Sequence, residues 1–246
     1  MSERKLSPPS VLFGALIVVA ICLLMGLGIW QVQRLAWKND LIARVDARVA
    51  APAVAAPGMA EWGRVNKADD EYRHVTLRGV LQNNAEAQVY TLSEYGAGYW
   101  VMTPLKRDDG TMVYINRGFV PTDKRAPVTR LAGQPHGEVI ITGLLRLSET
   151  KGWLFQQAND PARDAWYRRD IAALAQSRHI SSVAPYFVDA NASPNAGGWP
   201  KGGLTVVKFP NSHLVYALTW FSLAAMLAGV SIWLVWFRKP DADDLA

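Results

Sequence analysis

His213 is the side chain on which chemistry can most readily be hung. It stands in "NSHLVYALTWF", residues 211–221, at the head of a charge-free run. On a helix, His213, Tyr216, Ala217, Trp220 and Ala224 share one face. A neutral imidazole is a common axial ligand of haem iron. Two aromatic rings and two alanines suit a flat apolar macrocycle, or let another helix approach closely. A second stripe, Gly26, Trp30, Arg34 and Trp37, could face it, with Arg34 able to pair with a haem propionate. A plainer reading competes. Tyr and Trp favour the headgroup level, a histidine at the water edge is inexpensive, and Arg34 and Lys38 can reach out to lipid phosphates. The residues alone leave both readings open, because ionisable groups at membrane depth are functional candidates by default.

Two apolar runs must position these groups. Val11 to Trp30 and Leu214 to Phe237 contain no charge, and a helix of about 20 residues covers the ~30 Å hydrocarbon core. The first run is longer than the core of a signal peptide and lacks a small-residue cleavage site, so it reads as a retained anchor. Two spans put both chain tips on one side. Basic flanks at Arg4, Lys5, Arg238 and Lys239 assign that side to the cytoplasm, although Arg34 and Lys38 weaken the signal. The expected organisation is a tip at 1–10, spans at 11–30 and 214–237, an extracytoplasmic domain at 31–213 and a tail at 238–246. In a bacterium that domain is periplasmic; in a mitochondrion it lies in the intermembrane space.

Residues 31–49 keep helical spacing through Trp37, Leu41 and Val45. "AAPAVAAPGMAEWG" then reads as a linker. From Tyr72 the period changes to two. "RHVTLRGVL", "AQVYTL", "YWVMTPLKR", "TMVYINRGFV", "GEVIITGLLRL", "APYFVDAN" and "GGLTVVKF" read as strands. Asp109-Gly110 is expected to supply the positive backbone angles of a hairpin turn, and Gly143 a bulge or bend. "AWYRRDIAALAQS" reads as a short helix, and "ASPNAGGWPKGG" as a long flexible loop. The fold class is therefore membrane-anchored α+β, with two transmembrane helices flanking a small antiparallel barrel or sandwich.

Several functions are disfavoured. The single cysteine, Cys22, lies in the first anchor, so the domain has no disulfide and no c-type haem attachment sequence. No nucleophile elbow, phosphate loop or dinucleotide fingerprint occurs. The carboxylates of "KADDEY" and "KRDDGT" suit turns. His74 is expected to face solvent, His136 to sit in a turn and His179 to follow the short helix. The net charge of +5 is spread along the chain and reads as solvated surface with some attraction to anionic lipid, with no nucleic-acid partner.

The order of "WQVQRLAWK", "YRHVTLRG", "VMTPL", "INRGFVP", "GLLRLSET", "NDPARDAWYRRDI" and "NSHLVYALTWF" between two anchors resembles the Surfeit locus protein 1 family, assembly factors of cytochrome c oxidase. The resemblance implies a non-enzymatic role and partnership with oxidase subunit I and the haem a synthesis machinery. It implies haem a as a transient cofactor, with His213 at the position of the favoured iron ligand; Tyr216, Trp220 and Arg34 are the expected neighbours in the binding site from the two helix stripes, not from the resemblance. It also implies a bacterial or mitochondrial inner membrane. A haem-independent scaffold for oxidase subunits is the alternative.

Overall fold

The computed structural model describes residues 8–152, 157–207 and 209–237. In chain order the elements are α1 (Pro8–Ala50), β1 (Val54–Ala55), α2 (Lys67–Asp70), β2 (His74–Leu81), β3 (Ala87–Ser93), β4 (Gly96–Lys106), β5 (Met112–Pro121), β6 (Glu138–Leu147), α3 (Ile171–Ser177), β7 (Val183–Ala190) and α4 (His213–Phe237). They form two compact units, Met1–Ala43 with Lys208–Ala246, and Arg44–Val207. The basic tips Arg4, Lys5, Arg238 and Lys239 lie outside the described residues.

The unit Arg44–Val207 is a β-barrel. Its sheet runs β1-β2-β6-β7-β5-β4-β3, and a further β2–β4 pairing closes five of those strands into a ring. Taken in chain order, the barrel strands follow one another around the ring as 1-2-3-5-4, with only the third and fifth, β5 and β7, parallel. That is the connectivity of an OB-type Greek-key barrel, an architecture that hosts many functions and specifies none.

Period two sorts the side chains. Val113 and Ile115 of β5, Tyr186 and Val188 of β7, Leu105, Leu145 and Val75 point into the barrel. Their alternates Tyr114 and Phe187, with Met102, pack outward against Trp166, Ile171 and Leu174. The helix α3 thus caps an outer face, with the Asp170 carboxylate accepting from Ala173 N at its start. Asp189, 3% exposed, closes a polar cluster beside the core. It accepts from Asn116 (2.7 Å), Arg146 (3.0 Å), Arg169 (3.1 Å) and Thr205 (2.9 Å). Glu71 and Glu149 take the remaining donors of the two arginines. Burial opposes the charge on Arg146, but Asp189 and Glu71 outweigh it and raise its pKa. Burial likewise opposes ionisation of Glu149, yet Arg169 holds its carboxyl below the usual range.

The expected hairpin is present, with Leu105 opposite Val113 and Lys106 opposite Met112. Its turn differs in detail. Gly110 N donates to Arg107 O (3.0 Å), so the turn runs Arg107–Gly110 and only Gly110 is left-handed, at φ +79°. Asp109 instead accepts from Thr111 N and Oγ1, which lowers its pKa. Gly143 stays in regular register between Val75 and Ala190. It makes no bulge; a Cβ there would lie 2.1 Å from Asp189 O. "GGLTVVKF" forms no ladder: residues 202–207 are irregular and Lys208 lies outside the described residues. Its nearest strand, β7, already has both edges taken by β5 and β6. The linker is partly ordered, since it supplies β1 and a 3-10 helix at Met59–Arg64. The long loop is pinned at its end, where Lys201 and Phe119 exchange backbone hydrogen bonds of 2.9 and 2.8 Å.

Two buried tyrosines allow a contrast. The Tyr186 hydroxyl donates to Pro57 O at 2.6 Å, whereas the Tyr114 hydroxyl finds no partner among the described residues. Burial pushes both pKa values up to about 12. Tyr186→Phe is expected to lower stability by about 1 kcal/mol, and Tyr114→Phe to be neutral or stabilising by a similar amount. Since the folded pKa of each lies above the unfolded value of about 10, their contribution is full below pH ~10 and is lost as pH climbs through about 12. Denaturant midpoints of the full chain in detergent between pH 8 and 12 check both points. Equal losses from the two variants would refute the assignment.

Candidate functional site: a histidine in a helix seam

The helices α1 and α4 pair through a seam that repeats at four and three residues. On α1 the seam runs through the buried or half-buried positions Ile17, Ile21, Leu24, Gly28, Gln31, Leu35 and Lys38, with Ala20 half-buried beside it. On α4 it runs through His213, Ala217, Trp220, Ala224, Leu227 and Ser231, flanked by the half-buried Phe221 and Ala228. This alternation is the heptad pattern of left-handed helix packing. Both helices are long and apolar enough to cross a membrane. In lipid no hydrophobic drive joins helices, so close approach at small residues has to hold them. Ala217 and Ala224 are 2% and 3% exposed. A Cβ on Gly28 would lie 2.4 Å from the Phe221 ring, so the glycine is what admits that ring.

Most of the face expected on α4 is therefore the seam itself. The small residues Ala217 and Ala224 receive the partner helix, and His213 and Trp220 are half-buried beside them. Tyr216 lies off the seam and is 54% exposed. The face expected on α1 is not the one that turns inward. Gly26 and Trp30 are exposed, and the Arg34 guanidinium lies 3.9 Å over the Trp37 ring. Among the described residues no hydrogen bond or cation–π contact joins Arg34 to His213, Tyr216 or Trp220.

Gln31 is the α1 residue that meets His213 across the seam. Its side chain is buried, 8% exposed, and its Oε1 lies 2.7 Å from His213 Nδ1. A carboxamide oxygen only accepts, so the contact places the ring proton on Nδ1 and leaves the lone pair on Nε2. That is the donor a metal ion needs from a histidine. A further amide pair, Asn211 Nδ2 to Asn39 Oδ1 at 2.8 Å, ties α1 to the residues just before α4. The signal for Gln31 was present in the sequence: a polar residue three positions after Gly28, in step with the seam.

The other histidines do structural or no visible work. His74 does not simply face solvent: its Nδ1 donates to Ala51 O (2.8 Å) and its Nε2 accepts from Asn191 Nδ2 (3.2 Å). His136 and His179 are exposed. No cluster of three metal-binding side chains occurs among the described residues. Arg117 donates to Gly133 O and Asn83 Oδ1, and burial lowers its pKa to about 10. A groove of about 440 Å3 on α4 is lined by Val215, Leu218, Thr219, Ser222, Leu223 and Met226, all from that helix, and excludes His213.

Two helices long and apolar enough to cross a membrane, together with an OB-like barrel, fit the class of membrane-anchored β-barrel proteins. A model of the SURF1 family matches residues 17–225. Surfeit locus protein 1 of Homo sapiens is 35% identical over 255 residues, covering 97% of this chain and 80% of that protein. The Mus musculus protein is 36% identical over 230 residues, covering 87% and 71%. A SURF1-like protein of Monosiga brevicollis is 33% identical over 241 residues, covering 93% and 88%. The chain belongs to the SURF1 family.

The seam can be tested at its two neighbouring glycines. Gly28→Leu is expected to force the helices apart and cost about 1–3 kcal/mol of stability. Gly26→Leu, at a position with nothing within 4 Å, is expected to change it by less than about 0.5 kcal/mol. Thermal unfolding of the full chain in detergent separates them, and equal behaviour would refute the seam.

Proposed function

We propose that this protein assists the assembly of cytochrome c oxidase by holding haem a on His213 and handing it on toward subunit I, in contact with the haem a synthesis machinery. The observation that carries the reading is the 2.7 Å contact to Gln31, which leaves His213 Nε2 with a free lone pair. The donor chemistry fits: when bound, the haem supplies an iron that accepts one neutral imidazole. His213 is only half-buried, so a ligand can reach it, and Tyr216 offers an exposed ring one turn further along α4. Trp220 serves mainly as seam packing. Arg34 is available to an acidic group in the interfacial layer once it leaves Trp37. The role is binding and hand-over, without a catalytic step. Family membership supports the oxidase partnership. The charge pattern supports cytoplasmic tips and a globular unit in the periplasm of a bacterium, or in the intermembrane space of a mitochondrion.

His213→Ala, produced in a host that makes haem a, should lose at least about ten-fold in haem retained per protein, judged by the Soret band, while still inserting and folding. Tyr216→Ala should retain most of it, since Tyr216 supplies contact surface and no iron bond. Colourless wild-type protein that still supports oxidase assembly would favour a haem-free scaffold. An unaltered spectrum in His213→Ala would move the ligand elsewhere.

A further inference from the structure

We infer that Gln31 is a positioning residue that sets His213 before any ligand arrives and keeps the resulting bond weak enough to release. The inference rests on His213 being the ligand proposed above. A carboxamide buried in an apolar helix seam is costly unless it is paired, and among the described residues the Gln31 side chain pairs with His213. The two residues are 182 positions apart, so the contact exists only when α1 and α4 are paired. Helix pairing and ligand competence thereby become one event.

The direction of the bond carries the chemistry. A free histidine ring in water prefers its proton on Nε2, which would leave the lone pair on Nδ1, next to the backbone. By accepting from Nδ1–H, the Gln31 oxygen reverses that preference and fixes the rotation of the ring. Outer partners of this kind orient a ligating histidine and tune its basicity. A carboxylate in that place would draw the Nδ1 proton toward itself and make Nε2 a stronger donor. A neutral carboxamide orients the ring with far less of that effect. The choice of Gln over Glu suits a protein that must give its cargo away.

The test uses the full chain in nanodiscs, with haemin as the probe. In the ligand-free protein, 15N NMR of labelled histidine, assigned by the loss of a signal in His213→Ala, should show His213 protonated on Nδ1. In Gln31→Leu the proton should move to Nε2, and haemin affinity should fall by about 10–100-fold. Gln31→Glu should bind haemin at least as well as wild type and release it to an apo-globin acceptor about ten-fold more slowly. Its ferric EPR spectrum should shift in the direction of a stronger imidazole donor. A wild-type ring protonated on Nε2, or affinity and release unchanged in both variants, would reduce Gln31 to a helix clamp and overturn the inference while leaving His213 ligation intact. Should Gln31→Leu fail to fold, the release rate of Gln31→Glu alone decides. Loss of ligation itself is read separately: haemin bound equally by His213→Ala overturns the parent reading, whatever the tautomer.

Discussion

The barrel depends on a closure made by two residue pairs, Val80 with Lys106 and Leu81 with Leu105. Without it the seven strands are an open sheet, and Val75, Leu105, Val113 and Leu145 have no enclosed interior. Gly79 makes the closure possible. A Cβ there would sit 2.2 Å from Lys106 O, so no other residue lets β4 come that near. With no cysteine in the barrel, nothing covalent holds the ring shut, and the core has to do so by burial. Burying an aliphatic side chain of this size contributes about 1.5–3 kcal/mol, and Val75, Leu105, Val113, Ile115 and Leu145 are all at 0% exposure. The outer cluster under α3 and the polar cluster around Asp189 follow from the same closure. Once the ring exists, alternate residues of β5 and β7 must point outward and need their own cover.

The Asp189 cluster shows how buried charge is tolerated there. Removing one partner of such a group is far more harmful than the net worth of the group. Each oxygen of Asp189 is used twice, on Asn116 and Arg169 and on Arg146 and Thr205. The two arginines in turn rest on Glu71 and Glu149. The network reaches from β5 to β7 and from the segment before α3 to the stretch after β7. It binds together pieces of chain that the ladder alone does not join, among them the irregular 202–207 segment through Thr205.

Much of this was legible in the sequence because period and composition carried it. The six strands β2 to β7, the β4–β5 hairpin and the helix running on through residues 31–49 are all direct readings of hydrophobic spacing. What failed had physical causes. "GGLTVVKF" alternates like a strand, but alternation says nothing about whether a free edge exists to receive it. Gly143 looked like a bulge, yet a glycine in a regular ladder can equally mark a close crossing of another backbone. The linker's prolines and glycine hid a short parallel strand that needs β2 to exist at all. In the membrane unit His213, Ala217, Trp220 and Ala224 were recognised as one face. The partner face on α1 is not the expected stripe of Gly26, Trp30, Arg34 and Trp37 but the quieter Gly28–Gln31 pair, because close approach of two helices selects small and buried positions over charge and aromatic rings.

That quieter pair decides more than the louder residues do. In an apolar seam of two spans, van der Waals contact alone defines register poorly, since neighbouring registers bury similar surfaces. A polar residue at a seam position fixes register because only one alignment satisfies it. Here Gln31 with His213 is such a contact, and Asn39 with Asn211, exposed beside the seam, adds a second tie. They sit eight positions apart on α1, and on the other side at the first residue of α4 and two residues before it, so a slip of one turn breaks both together. The residue proposed to bind the ligand is thus one of the residues that set the alignment of the helices. Its ring is held as firmly as the helix pair itself, and no separate scaffold is needed to orient it.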